Sequence, residues 1–207
     1  MPALTIAQVE DGIVSVVARA ERGDQDAWRR IVTLYSSRLF ALAKSRLGSA
    51  ELAEEITQSV FATVARALPK GGYAETGRFE SWLFRIAMNK IRDEARRAKR
   101  QAPPGDPGTL SGVALAEPER GSEVDPGASL LRRALGELSE SDREVVELRH
   151  HGGMSFKEMS ELLGEPLGTL LARHHRALRK LKTIMSGMGY EGLGDRAEAA
   201  ESEGVNG

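Results

Sequence analysis

Residues 155–182, SFKEMSELLGEPLGTLLARHHRALRKLK, restrict the fold of this chain more than any other stretch. Ser155, with Glu158 three residues later, has the pattern of a capping box, which begins a helix. Gly164 is the residue type that ends one, and Pro166 stands near the start of the next helix, where its missing N–H costs little. The segment therefore predicts a short capped helix, a tight turn and a longer basic helix, the arrangement of a helix-turn-helix.

A further capped helix is predicted directly upstream, in LSESDREVVELRH at residues 138–150. Ser141 is the expected N-cap, because Glu144 follows it at the spacing of a second capping box. The glycines of the HGG sequence at 151–153 should end this helix. We place the start of the C-terminal helical block at Leu130.

Apolar residues recur at three- and four-residue spacing in four stretches of the first hundred residues, which is typical of amphipathic helices. A Gly-rich segment at 69–80 separates the third stretch from the fourth, and no β pattern of useful length occurs. These observations predict an all-α fold of two small helical domains joined by a flexible Pro/Gly-rich linker, the second domain being the helix-turn-helix. The expected inward positions are Ile13, Val14, Val17, Ala18; Trp28, Ile31, Val32, Tyr35, Leu39, Leu42, Ala43; Leu52, Ile56, Val60, Phe61, Val64; and Trp82, Leu83, Ile86, Ala87, Ile91.

Charge and composition divide the chain at the same places. The formal net charge of −1 conceals two basic blocks, residues 1–100 at +5 and 129–186 at +2. Residues 101–128 carry −4 and are rich in Pro and Gly, and residues 187–207 also carry −4. We therefore predict an N-terminal domain, a linker, a C-terminal domain and a disordered acidic tail with these boundaries.

Several classes of protein are disfavoured by what the sequence lacks. It contains no cysteine, which excludes disulfides and thiolate metal sites, and its apolar runs are too short to span a membrane. The N-terminus does not resemble a signal peptide, so a cytoplasmic protein without membrane insertion is expected. The histidines form two adjacent pairs, at 150–151 and 174–175, and neighbours on a helix diverge. We expect no metal, no cofactor and no enzymatic activity, since no catalytic motif is present.

The basic helix that begins near Thr169 has an inner and an outer face. Its inner face should carry Leu170, Ala177, Leu178, Leu181 and Met185. In a helix-turn-helix, the outward residues near the N-terminus enter the major groove, whereas later basic residues grip phosphates. The expected groove residues are Thr169, Leu171, Ala172, Arg173, His175 and Arg176, and the expected phosphate contacts are Arg179, Lys180 and Lys182.

A second basic concentration lies at residues 78–100, with eight Lys or Arg against three acids. Its aromatic residues, Phe79, Trp82 and Phe84, combine with these charges in a way that suits unpaired bases beside a phosphate backbone. We interpret Trp82 itself as a core residue. Arg96, Arg97, Lys99 and Arg100 are predicted to bind electrostatically.

In order and spacing, three segments together resemble the bacterial RNA polymerase sigma factors of the extracytoplasmic-function (ECF) group. Residues 23–68 resemble the start of the first conserved domain, and 79–97 its pattern of Trp-Leu, Ile-Ala, Asn, then Asp and Arg. Residues 138–182 are similar to the second domain, including the Gly-Thr pair before the recognition helix. The resemblance covers about residues 10–100 and 130–185.

This resemblance implies core RNA polymerase and promoter DNA as partners, with an anti-sigma factor as a further one. It implies that the helix at 51–68 docks on the polymerase clamp, through Glu54, Glu55, Gln58 and Phe61. It implies recognition of a melted −10 strand by Phe79, Asn89, Arg92, Arg96, Arg97, Lys99 and Arg100. It implies readout of a duplex −35 element by Ser155, Thr169, Leu171, Ala172, Arg173, His175, Arg176, Arg179 and Lys180.

Two departures from the family pattern stand in the recognition helix. Leu171 and Ala172 occupy places where Lys-Ser is frequent, and we expect Leu171 to make an apolar contact, such as one to a thymine methyl. His174 replaces a usual apolar residue. A helix-turn-helix regulator that works without polymerase, and a helical protein-interaction module without DNA binding, are the alternative interpretations.

Overall fold

The computed structural model describes residues 6–73, 78–101 and 126–189. Within these residues the chain forms eight α-helices and one 3-10 helix, and no strand. The α-helices are α1 (Ile6–Glu21), α2 (Gln25–Leu47), α3 (Ala50–Ala67), α4 (Phe79–Gln101), α5 (Pro126–Gly136), α6 (Glu140–His150), α7 (Phe156–Leu163) and α8 (Leu167–Gly187). The predicted all-α class is confirmed.

The first domain comprises α1–α4, which pack on one another around α2. Asp24 caps α2 by accepting the N–H groups of Asp26 and Ala27, and Ser49 caps α3 by accepting that of Leu52. The predicted apolar stripes form the core, with the largest fully buried side chains including Ile31, Leu39, Leu42, Leu83, Phe84, Met88 and Ile91. Val14 and Val32 are corrections, because both lie exposed at the edges of their stripes.

The second domain comprises α5–α8. Its own apolar cluster joins Ala134, Leu135 and Leu138 to Val146, Ala177, Leu181 and Met185. Leu170 is also buried, so the predicted inner face of α8 is confirmed, with Leu178 packed at its margin. Residues of α6, α7 and α8 also join the core of the first domain, so the two domains share one continuous apolar cluster.

Several predicted boundaries need correction. Ser139, not Ser141, caps α6: its hydroxyl accepts the N–H of Asp142, and its carbonyl accepts the N–H of Arg143. Helix α4 begins at Phe79, within the predicted Gly-rich segment 69–80, and the Arg78 carbonyl accepts the N–H of Trp82 in its first turn. Residues 68–70 form the 3-10 helix. Helix α5 begins at Pro126, ahead of Leu130; linker residues 102–125 and tail residues 190–207 lie outside the described residues.

The turn after α6 requires glycine at one position. The N–H groups of His151 and Gly152 both bond to the Glu147 carbonyl, which ends the helix as the HGG pattern predicted. A Cβ on Gly152 would lie 2.5 Å from the Leu148 carbonyl oxygen, closer than side chains tolerate. The chain can therefore turn this tightly only without a side chain there.

The corrected cap gives a direct stability test. We expect Ser139→Ala to lower the free energy of unfolding by about 1 kcal/mol, because it removes the acceptor for an orphan N–H. The matched change Ser141→Ala should alter it by less than about 0.5 kcal/mol, as an exposed substitution. Urea unfolding followed by far-UV circular dichroism measures both. An equal loss in the two variants would contradict the assignment.

Candidate nucleic-acid interface

The helix-turn-helix is built by the caps that its sequence predicts. The Ser155 hydroxyl accepts the Glu158 N–H at 3.2 Å, and the Ser155 N–H donates to the Glu158 carboxylate at 2.6 Å, which completes the capping box. Gly164 ends α7 in the left-handed region at φ 71°. Pro166 occupies the N-cap of α8, where it has no N–H to satisfy. The Ser155 hydroxyl is thereby engaged in capping.

Helix α8 presents a continuous polar face to solvent. Leu171 and Arg173 are half-buried on this face. The exposed residues are Thr169, Ala172, His175, Arg176, Arg179, Lys180 and Lys182. The face carries no acidic residue, so it offers cations and small side chains to an anionic surface.

Arg173 is held by an acid that the sequence analysis did not single out. Its guanidinium contacts both Glu165 carboxylate oxygens, at 2.8 and 2.6 Å. This hydrogen-bonded acid raises the pKa of Arg173. Glu165 lies in the turn between α7 and α8, so the contact ties α8 to the turn before it.

His174 faces inward and meets a histidine from another helix. Its Nε2 lies 3.1 Å from the Nε2 of His150 on α6, and the two rings stack. Phe156 of α7 packs edge-on against the His174 ring. Burial, aided by the nearby positive potential of His150 and Arg149, lowers the pKa of His174 to about 4. The uncharged His174 side chain of α8 therefore contacts both other helices of the motif, α6 and α7.

The predicted −10 residues on α4 differ in exposure and in the partners they already have. Asn89, Arg96, Arg97 and Arg100 are exposed on α4. Arg92 forms an ion pair with Glu144 of α6, so its charge is already matched. The side chain of Lys99 lies outside the described part of the chain.

Phe79 does not reach the surface. It is buried among Tyr35, Tyr73 and Trp82, with ring centroids 5.7 to 5.9 Å from its own. Trp82 packs against the core, as predicted. In this arrangement Phe79 supports the start of α4, which positions the residues that follow it.

The outer face of α3 remains open. Glu54, Glu55 and Gln58 are exposed, and the Gln58 amide donates to Glu54 at 3.2 Å. Phe61 is half-buried against the core. The face therefore offers carboxylates on a rigid helix.

The polar residues that join the two domains are not among those predicted from the sequence. Arg46 of α2 is buried and pairs with Glu140 and with the fully buried Glu147 of α6. Arg143 also pairs with Glu147, at 2.8 Å. Arg46 follows Leu42 and Ala43 at helical spacing, so the sequence indicated a charged residue on the inner face of α2. Only the tertiary structure shows that its partners are Glu140 and Glu147.

Two other kinds of feature are absent from the described residues. No group of three or more His, Cys, Asp or Glu side chains there is placed to hold a metal ion. No helix among them is long and apolar enough to cross a membrane.

The low pKa of His174 predicts how stability depends on pH. An unfolded His174 takes up a proton near its ordinary pKa of 6.5, whereas the folded one stays neutral until about pH 4. The unfolded state therefore binds more protons in this window, and stability falls as the pH drops from 6.5 towards 4. We expect the fall in Tm between pH 7 and pH 5 to shrink by about 2–4 °C in His174→Leu.

Calorimetry of the variant beside His175→Leu, on the exposed side of the same helix, checks this expectation. The control should keep the wild-type pH dependence. Equal pH profiles for wild type and His174→Leu would refute the assignment.

Comparison with known families matches both domains. Residues 31–101 match Sigma-70 region 2, and residues 128–181 match Sigma-70 region 4. Together these two matches cover more than half of the chain and follow the order α2–α4, then α5–α8.

Individual relatives agree with this assignment. The chain is 30% identical to the ECF RNA polymerase sigma factor ShbA of Streptomyces griseus, over 83% of this chain and 94% of that protein. It is 28% identical to the ECF RNA polymerase sigma-E factor of Escherichia coli, over 78% and 88%. Among solved structures, that of CnrH in complex with the cytosolic domain of CnrY matches with a TM-score of 0.61 and 26% identity, over 84% and 97%. The chain belongs to the ECF group of the sigma-70 family of RNA polymerase sigma factors.

Proposed function

We propose that this chain binds core RNA polymerase and directs it to a specific set of promoters by recognising their −10 and −35 elements. The observation that carries the proposal is the pair of exposed basic surfaces, on α4 and on α8, in two domains that match the family in order. The polymerase performs the chemistry in this scheme. The factor supplies recognition.

In this proposal the predicted domain 1–100 recognises the −10 element and binds polymerase, and the predicted domain 129–186 recognises the −35 element. Helix α4 ends at Gln101 and α8 ends at Gly187, each one residue beyond the predicted domain end, whereas α5 begins at Pro126, three residues before the predicted start of the second domain. Residues 101–128 then serve as the connector and 187–207 as an acidic tail. A factor of this kind works where core polymerase is, in the cytoplasm.

In the first domain, the α4 surface is the proposed binding site for the melted −10 strand. Its exposed Arg96, Arg97 and Arg100 can neutralise phosphates, and Asn89 can hydrogen-bond a base edge. Holding an extruded base costs a few kcal/mol of stacking, which phosphate contacts along α4 help to offset. The exposed acids of α3 are the proposed contact with the polymerase clamp.

In the second domain, α8 is proposed to lie in the major groove of the −35 element. Arg176 and His175 are its exposed polar readers, and Ala172 allows close approach. Arg179, Lys180 and Lys182 are placed one turn or more further on, where they can grip phosphates. Leu171 supplies the proposed apolar contact. Arg173 can contact a base only when its ion pair with Glu165 opens; while that pair is formed, Arg173 positions the turn before α8.

An anti-sigma factor is proposed as a regulatory partner. The CnrH structure, to which this chain is similar, was solved with the cytosolic domain of CnrY. A RpoE structure from Bartonella quintana, with the same fold at a TM-score of 0.57 and 22% identity, was solved with the anti-sigma factor NepR.

Run-off transcription with purified core polymerase on genomic fragments tests the proposed function. We expect specific transcripts only when the chain is present. DNA binding by the chain alone, with no dependence on polymerase, would instead identify an independent helix-turn-helix regulator. Polymerase binding and correct folding without any chain-dependent transcript would refute the proposal, and no salt-dependent DNA binding at all would favour an interaction module.

Substitution of two arginines of α8 distinguishes recognition of a base from binding of a phosphate. We expect Arg176→Ala to cost about 1–3 kcal/mol of discrimination at one base pair and to relax the preference there. We expect Arg179→Ala to weaken binding uniformly across sequences and to reduce the salt slope by about 1.

Binding-site selection and salt titration with the holoenzyme measure these effects. Leu171→Lys should shift the selected sequence as well. An unchanged preference in Arg176→Ala, or an altered one in Arg179→Ala, would contradict the assigned roles.

A further inference from the structure

Arg173 and Glu165 form an ion pair at the start of α8, the end of the helix that the proposed function places against DNA. Residues 166–169, which follow Glu165, are exposed, and the side chains of Arg173 and Glu165 are 18% and 33% exposed. The pair therefore lies at the margin of the face that carries His175 and Arg176. A duplex held by that face would lie close to the Glu165 carboxylate.

The backbone positions Glu165 before its side chain makes any contact. Gly164 on one side is in the left-handed region at φ 71°, and Pro166 on the other side favours extended backbone angles at Glu165. The Ser160 hydroxyl donates to the Glu165 carbonyl at 2.6 Å. The turn thus has restraints of its own that do not involve the Glu165 carboxylate.

Arg173 reaches back along α8 to meet this carboxylate. Long side chains on a helix lean towards its N-terminus, so a residue in the second turn can contact the segment that precedes the helix. The Arg173 Nη1 donates to one carboxylate oxygen at 2.8 Å, and Nη2 lies 2.6 Å from the other. A single partner therefore occupies the outer edge of the guanidinium, with its two parallel N–H groups.

That edge is the one with which an arginine recognises guanine. In the major groove guanine presents O6 and N7 as two neighbouring acceptors, whereas adenine and thymine each present one acceptor and cytosine presents a donor. Only guanine can replace both of the hydrogen bonds that Arg173 makes with Glu165. Even then, two bonds to a charged carboxylate are exchanged for two bonds to uncharged acceptors.

Charge also opposes opening of the pair against DNA. Glu165, hydrogen-bonded to Arg173, raises the pKa of Arg173, and Asp142 and Glu144 of α6 add to this effect. These acids already match the guanidinium charge. If Arg173 turned to a base, Glu165 would be left unpaired beside the phosphates, and like charges brought together at an interface oppose binding.

We propose that Glu165 is a specificity-determining residue that silences Arg173: the pair stays closed on DNA, so the chain has no guanine preference at the base pair that Arg173 could read. The carboxylate then acts against a contact that the helix could otherwise make. The identity of the DNA element rests on the proposed function. The competition itself requires only the ion pair and a duplex against α8.

The first variant, Glu165→Gln, removes the charge and keeps the shape of the side chain. In holoenzyme binding-site selection we expect it to gain a guanine preference of about fivefold or more at one position of the −35 element, the lower bound for a bidentate contact. Binding to random-sequence duplex should tighten, and its salt slope should rise by about 1, because Arg173 can now displace a counterion.

Glu165→Ala is a second form of the same test, since it removes the remaining amide acceptor as well. The Ser160 bond to the backbone carbonyl persists in both variants. Calorimetry confirms that each variant is folded. The gain in guanine preference should be at least as large in Glu165→Ala as in Glu165→Gln.

Arg173→Ala separates silencing from readout. In the otherwise wild-type chain this change should leave the selected −35 sequence and the salt slope unaltered, although the lost ion pair lowers Tm. Combined with Glu165→Gln, it should abolish the new guanine preference. Glu137→Gln is the matched control, because it makes the same charge change at an exposed residue between α5 and α6 that has no ion pair within the described part of the chain. Its selected sequence should equal that of the wild type.

Three outcomes would overturn the inference: no new guanine preference in either Glu165 variant, a new preference that persists without Arg173, or a base preference lost in Arg173→Ala alone. The same variants bound to duplex DNA as the full chain without polymerase separate the inference from the proposed function. The expected pattern there, together with failed run-off transcription, would refute the proposed function and leave the inference standing. No DNA binding by the chain in either assay would overturn both.

Discussion

The buried carboxylate of Glu147 is the interaction on which the arrangement of this molecule depends. Its side chain is fully buried and meets an arginine from its own helix and another from α2. Its backbone carbonyl accepts the two N–H groups that end α6. One residue therefore closes the helix before the turn and joins the two domains.

The energetic character of this residue follows from its burial. Removing one partner from a buried ion pair costs about 3–5 kcal/mol, because the other charge is left without compensation. Retaining the pair contributes far less, since desolvation offsets most of the attraction. Glu147 is thus a strong constraint on how the domains meet and a weak source of net stability.

Helix α8 has a packed side and an exposed side that differ in chemistry. His174 contributes a neutral contact to α6 and α7, while Arg176 and Arg179 on the other side of α8 are exposed. The departure from the usual apolar residue at 174 therefore changes the interior of the motif and leaves its outer face intact. Arg173, held by Glu165, lies between these two roles.

Much of the fold could be predicted because it depends on neighbours in the sequence. The capping box at Ser155, the glycine end of α7 and the inward stripe of α8 each involve residues three or four apart, and all were confirmed. The error at Ser141 arose because two serines offered similar local signals. In the structure the Ser139 hydroxyl accepts the N–H of Asp142 and its carbonyl accepts the N–H of Arg143, which identifies Ser139 as the cap.

The sequence by itself determined that this chain is helical, that it contains a helix-turn-helix and that α8 has a basic outer face. The tertiary structure alone decided which residues meet across long separations. Arg46 with Glu147, His150 with His174 and Arg92 with Glu144 are pairs of this kind. The physical reason is that helix periodicity is a local property of the backbone, whereas a pair between helices depends on which faces pack together, and periodicity does not specify that choice.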